Sequence, residues 1–148
     1  MKRRYAPCFT YWFETGGRMN VHWWEGYMTC LAEQVHNGAK PAAVLSMETV
    51  QDPELRERLY RALARIAAVY DLDVVPRQGE LWLVREEDEA THAAVETVPP
   101  PTAGPEAHRI RGRLCGYSEE AIEGYIAWRP RGGGRRSRNE AAEEVSWP

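Results

Sequence analysis

The sequence predicts an α+β fold: a small mixed sheet with two packed helices, followed by a linker and a short C-terminal helical hairpin. Three observations support this class. Apolar residues recur at helical spacing over 52–71. Short runs rich in valine and leucine flank that segment at 42–47, 72–75 and 80–85. The composition then turns acidic and proline-rich before two short helical patterns. We therefore expect an α+β domain at 1–86, a linker at 87–104, a helical hairpin at 105–128 and a disordered tail at 129–148.

The N-terminal part is predicted to form a β-hairpin and then a helix. Residues 5–13 are aromatic-rich and suit a strand, and the glycines of 15–17 favour a turn. Residues 19–23 would return as a second strand. From 24 to 36 the spacing becomes helical, with one shared apolar face formed by Trp24, Met28, Leu31 and Val35.

Four large aromatic residues lie close together in this N-terminal part: Trp12, Phe13, Trp23 and Trp24. Such rings fill the core of many small domains. They also form stacking platforms or partner-binding faces. The sequence leaves both interpretations open.

The helix predicted over 52–71 is the best-marked element of the chain. Asp52 can cap its free N–H groups, Pro53 fits the first turn, and Glu54 complements the positive end of the helix dipole. After it, residues 77–79 turn the chain between two strands. The apolar stripe of the helix, which needs a sheet to cover it, consists of Leu55, Leu59, Ala62, Leu63, Ile66 and Tyr70.

Two short helices joined by a glycine-containing turn are predicted over 105–128. Gly116 can adopt the left-handed conformation that ends the first helix, and Ser118 can cap the second. Ile110 and Leu114 give the first helix an apolar side. In the second helix, the residues expected to face inward are Ile122, Tyr125 and Ile126.

The run 114–118 leading to Ala121 and Ile122 resembles the turn and second helix of helix-turn-helix DNA-binding domains. The resemblance covers about twenty residues. It departs at Arg111, where that family keeps an apolar residue, and at Gly112, where a small residue such as alanine is usual. The exposed start of the second helix, which would contact the bases, also carries the carboxylates of Glu119, Glu120 and Glu123. Negative charges there repel the DNA phosphates and so oppose binding.

We predict a binding surface formed by this hairpin and the tail. The leading hypothesis is a non-enzymatic accessory or regulatory protein with a protein partner, and the alternative is a nucleic-acid-binding regulator. The arginines of the tail could follow a phosphate backbone. The predicted binding residues are Arg113, Tyr117, Ser118, Glu119, Glu120, Arg129, Arg131, Arg135, Arg136 and Arg138.

No catalytic residue, metal or cofactor is predicted. The chain has none of the phosphate-loop, dinucleotide, zinc-protease or serine-hydrolase motifs. His22, Cys30 and His36 lie too many helical turns apart to hold one ion. His108 and Cys115 would share one side of a helix, and a small enzyme using this pair as a nucleophile is a third hypothesis.

Composition indicates a soluble cytoplasmic protein. The three cysteines are odd in number and show no C-x-x-C spacing, which favours free thiols in a reducing compartment. No signal peptide follows the charged N-terminus, and no apolar stretch is long enough for a membrane span. The formal net charge of -3 implies no partner by itself, and the oligomeric state stays open.

Overall fold

The computed structural model describes residues 21–47 and 50–128, and it confirms the predicted α+β class. The described residues form five α-helices, three strands and one short 3-10 helix at Pro101–Ala103. The helices are α1 Val21–His36, α2 Pro53–Val69, α3 Glu89–Glu96, α4 Pro105–Leu114 and α5 Glu119–Trp128. The strands are β1 Ala42–Ser46, β2 Leu72–Arg77 and β3 Glu80–Arg85.

The sheet has the order β1-β3-β2, with β3 in the middle. Both ladders are antiparallel: Val44 lies opposite Trp82, and Val75 lies opposite Trp82 on the other side. Among the described residues the sheet is therefore antiparallel, whereas we expected mixed pairing. The reason is that β3 folds back from β2 as a hairpin and takes the central position, so β1 never pairs with β2.

Helices α1 and α2 cover the first face of the sheet. Asp52 caps α2 as expected, accepting hydrogen bonds from the N–H groups of Glu54 and Leu55. The apolar stripe of α2 belongs to the same core cluster as Leu72 of β2 and Leu81 and Leu83 of the central strand. On α1, the predicted face is buried at Trp24, Met28, Leu31 and Val35.

The second face of the sheet is covered by the residues that follow β3. Trp82 and Val84 are fully buried there beneath Val95 of α3 and Val98. The same cluster includes Ile110 and Leu114 of α4 and Cys115, which follows the helix; all three are partly buried. The chain thus forms three layers, with the sheet between α1–α2 on one side and α3–α4 on the other.

Two stretches differ from the local predictions. Residues 21–23, expected to end a strand, are the first residues of α1, and the strand expected over 5–13 lies outside the described residues. Within the predicted linker 87–104, residues 89–96 form α3, because Asp88 caps the helix by accepting hydrogen bonds from the Thr91 N–H and hydroxyl. The division into separate domains stays a prediction.

Candidate functional site

The turn between α4 and α5 has a well-defined backbone geometry. Gly116 has a φ of 76°, its N–H donates to the Arg113 carbonyl, and the Tyr117 N–H donates to the Gly112 carbonyl. This pair of bonds is a Schellman motif and confirms the helix end predicted at Gly116. Ser118 then caps α5 by accepting a hydrogen bond from the Ala121 N–H at 3.2 Å, also as predicted.

The turn also lies directly on the loop before β1. A Cβ atom added at Gly116 would come within 3.1 Å of Lys40 Cγ and 3.4 Å of the Ala39 carbonyl oxygen. The Lys40 ammonium group stands 5.5 Å from the centre of the Tyr117 ring. The turn is thereby held against the loop before β1, with a cation–π contact at its edge.

The two helices of the hairpin approach each other closely at Gly112. A Cβ atom at this position would lie 2.6 Å from Ile122 Cγ1 and 2.9 Å from its Cδ1. Ile122 is buried, as expected for an inward-facing residue of α5. The absence of a side chain at Gly112 therefore sets the spacing of α4 and α5.

Arg111 anchors the hairpin to the second face of the sheet. Its guanidinium group forms an ion pair with Glu80 of β3 and donates to the Pro99 carbonyl. It also lies 5.2 Å from the Trp82 ring centre, over the ring face. The Arg111 and Glu80 side chains are only 11% and 15% exposed. Arg111, which departs from the helix-turn-helix pattern, therefore makes a buried structural contact with the sheet.

An open, largely apolar groove of about 380 Å³ runs along the hairpin. Tyr117 and Tyr125, which line it, are 58% and 48% exposed, and Trp128 near its end is 78% exposed. Tyr125 was expected to face inward; instead it packs at the surface against the rings of His108 and Trp128. The residues lining the groove are His108, Arg111, Gly112, Cys115, Tyr117, Ala121, Ile122 and Tyr125.

The predicted carboxylate edge of α5 is neutralised by arginines of α4. Arg113 donates two hydrogen bonds to Glu119, at 2.7 and 3.1 Å. Arg109 does the same to Glu123, at 2.6 and 3.1 Å. These hydrogen bonds hold the pKa of both carboxyl groups below the usual range. Two of the three carboxylates that seemed to oppose phosphate binding are thus already paired.

The pairing of Arg113 with Glu119 predicts that the Glu119 pKa depends on Arg113, and one substitution tests this. In Arg113→Gln, the pKa of Glu119 is expected to rise toward its ordinary value, because the bidentate bond is lost. A carboxylate with a lowered pKa stabilises the fold above its unfolded pKa, and that stabilisation disappears as pH falls through the folded pKa. A side-chain carboxyl titration by NMR measures the Glu119 pKa in the wild type and in the variant. The pKa of Asp88, which Thr91 and Arg85 lower, serves as the internal control. An unchanged Glu119 pKa would contradict the contact.

The structure brings several predicted binding residues together. Tyr117 lines the groove, Ser118 caps α5, and Arg113 and Glu119 bind each other on the neighbouring surface. Glu120 is exposed in the first turn of α5. The tail residues Arg129, Arg131, Arg135, Arg136 and Arg138 lie outside the described residues.

Cys115 and His108 both line the groove, as their spacing on one helix side predicted. Burial raises the pKa of the Cys115 thiol. A nucleophilic thiol requires a lowered pKa, so this environment gives no support to Cys–His catalysis. Within residues 21–47 and 50–128, no three His, Cys, Asp or Glu side chains are close enough to hold a metal ion.

The aromatic residues near the start of α1 divide between core and surface. Trp24 is buried in the main core, whereas Trp23 is partly buried and stacks on Tyr27, with ring centres 5.3 Å apart. Tyr27 is exposed. Trp12 and Phe13 lie outside the described residues. In the described part, the larger aromatic surface is therefore on the C-terminal hairpin.

Comparison with protein-family models, with curated proteins and with solved structures gives no match for this chain. In the part of the chain that the structure describes, the helices are too short or too polar to cross a membrane.

Proposed function

We propose that this chain is a non-enzymatic accessory or regulatory protein that binds a protein partner through the groove of the C-terminal hairpin. The observation that supports this most is the aromatic surface around the groove, formed by Tyr117, Tyr125 and Trp128. Tyrosine and tryptophan supply much of the binding energy in protein interfaces, because they bury a large area at low entropic cost. A concave apolar site with a few polar groups suits an inserted side chain.

The way the hairpin is held supports the same proposal. Arg111 ties α4 to Glu80 and Trp82, and the turn at Gly116 rests on the loop at Lys40. A groove whose walls are fixed before binding loses less conformational entropy when the partner arrives. The hairpin is therefore a preorganised docking surface.

One edge of the groove favours a carboxylate on the partner. None of the residues that line it is a carboxylate, and Lys40 lies at the Tyr117 edge. The tail arginines, Arg129 to Arg138, follow α5 directly in sequence and would add positive charge beside it. We thus propose a partner segment that combines apolar side chains with carboxylates, bound in the cytoplasm, since the three cysteines show no C-x-x-C spacing.

Nucleic acid is the less favoured partner. On the described hairpin, Arg109, Arg111 and Arg113 are all paired with carboxylates, which reduces their ability to neutralise phosphates. An electrostatic contact through the tail alone would weaken steeply with salt and would not depend on the aromatic groove.

A site-specific photocrosslinker tests the proposal. We expect a crosslinking residue placed at Tyr125 to capture a discrete partner in cells of the source organism. The same residue at Tyr60, an exposed position on α2, is the matched control and should not capture it. With the purified partner, Tyr125→Ala is expected to weaken binding about tenfold or more, as for an aromatic hot spot, whereas Tyr60→Ala leaves it unchanged.

Equal capture from both positions would contradict a specific docking groove. So would a purified partner whose affinity is the same for the wild type and Tyr125→Ala. If the only ligand found is mixed DNA or RNA, and its binding falls steeply with salt, the nucleic-acid alternative replaces this proposal.

A further inference from the structure

The groove of the hairpin has defined requirements for an occupant. It presents the rings of His108, Tyr117 and Tyr125, with Ile122 and Gly112 at its base and no carboxylate in its lining. Lys40 supplies a cation at one edge. In a suitable occupant, an aromatic side chain would pack on the apolar lining, and a neighbouring carboxylate would pair with the Lys40 ammonium group.

A segment of this same chain has that composition. Residues 143–147 read Glu-Glu-Val-Ser-Trp, so two carboxylates are followed within three residues by an indole. Four other tryptophans, Trp12, Trp23, Trp24 and Trp82, each lie within two residues of one glutamate rather than two, and Trp24 and Trp82 are buried. The segment 143–147 lies outside the described residues.

The chain length between the groove and this segment permits contact within one molecule. Helix α5 ends at Trp128, next to Tyr125 of the groove, and the fourteen residues 129–142 separate it from Glu143. An extended chain of that length reaches about 50 Å. The groove spans at most the length of α5, about 15 Å for ten residues. The three glycines at 132–134 favour a reversal of direction.

We propose that residues 143–147 dock into the hairpin groove of their own molecule, with the Trp147 ring among the aromatic residues and the glutamates toward Lys40. This inference rests on the proposed function, because it assigns the groove a resident ligand that a partner must displace. The tail then acts as an intramolecular competitor. The apparent affinity for the partner is the affinity of the open groove multiplied by the fraction of molecules in which the groove is open.

The Cys115 thiol, which lines the groove, provides a direct measure of this coverage. In the full-length chain, a short pulse of iodoacetamide labels each cysteine at a rate that mass spectrometry of the peptides resolves. We expect Trp147→Ala to accelerate labelling of Cys115 about tenfold, the change for a groove covered in roughly nine molecules of ten. Labelling of Cys30, which is exposed on α1, should not change. Ser146→Ala is the matched control within the segment.

Three results would overturn the inference. One is a Cys115 labelling rate that is equal in the wild type and in Trp147→Ala. Another is acceleration of Cys115 and Cys30 together, which would indicate general opening of the fold. The third is protection of Cys115 that increases with protein concentration, which would assign the groove to a second copy of the chain. None of these results bears on photocrosslinking at Tyr125, so failure of this inference is distinguishable from failure of the proposed function.

Discussion

Replacing Glu80 with leucine is expected to lower the free energy of unfolding by about 3 kcal/mol or more, because it leaves the buried Arg111 cation without a counter-charge. The Arg111 side chain is only 11% exposed, and a guanidinium group cannot release its charge by losing a proton. The remaining contacts of Arg111, with the Pro99 carbonyl and the Trp82 ring, do not supply a negative charge. Urea unfolding followed by circular dichroism measures the loss.

A second substitution distinguishes loss of the ion pair from simple misfit of leucine. Glu80→Leu combined with Arg111→Met should recover stability to within about 1 kcal/mol of the wild type, since apolar replacements of buried pairs are often neutral or stabilising. Glu57→Leu, which breaks the exposed pair with Arg61, is the matched control and should change stability by less than about 0.5 kcal/mol. A double variant as unstable as Glu80→Leu alone would show that the pair is not the cause.

Gly112→Ala is expected to destabilise the protein by about 1–2 kcal/mol, although alanine is the better helix former. The new Cβ atom would lie 2.6 Å from Ile122 Cγ1, and Ile122 is buried and has little space in which to move. Overpacking of this kind costs about 1–3 kcal/mol, and the helix propensity of alanine returns up to about 1 kcal/mol. Thermal unfolding measures the net change.

Gly124→Ala on the same hairpin gives the opposite expectation. Gly124 lies in α5 with no heavy atom within 4 Å of an added Cβ, so the substitution should stabilise the protein by about 0.5–1 kcal/mol. The two variants share the same chemical change and differ only in their surroundings. If both stabilise the protein equally, the close approach of α4 and α5 at Gly112 is not present in solution.

The features that the sequence predicted well are those determined by neighbouring residues. The cap at Asp52, the stripe of α2, the left-handed turn at Gly116 and the cap at Ser118 all follow from local backbone chemistry and helical spacing. Strand β3 was predicted with its observed bounds because its apolar run ends in charged residues. Local signals were therefore sufficient for the elements and for the class of the fold.

The features that were missed depend on contacts between distant residues. Arg111 and Glu80 are 31 positions apart, and only the packing of α4 on the sheet brings them together. The same packing explains why a charged residue occupies a position that looked wrong for a helix-turn-helix. Tyr125 was assigned inward from its spacing, but Ile122 already fills the contact with Gly112. The position of the groove could not be derived without knowing which side of α5 faces α4.

The order of the layers along the chain has a consequence during biosynthesis. Among residues 21–47 and 50–128, those that build the sheet and its first face precede Glu86. The second face, at Trp82 and Val84, is covered by the later residues Val95 and Val98 and by α4. A ribosome-bound chain that has just completed β3 therefore displays an apolar surface whose cover has not yet been translated. Such surfaces recruit chaperones or aggregate when translation stalls. The second face can be covered only after α4 has been translated, when Arg111 can pair with Glu80.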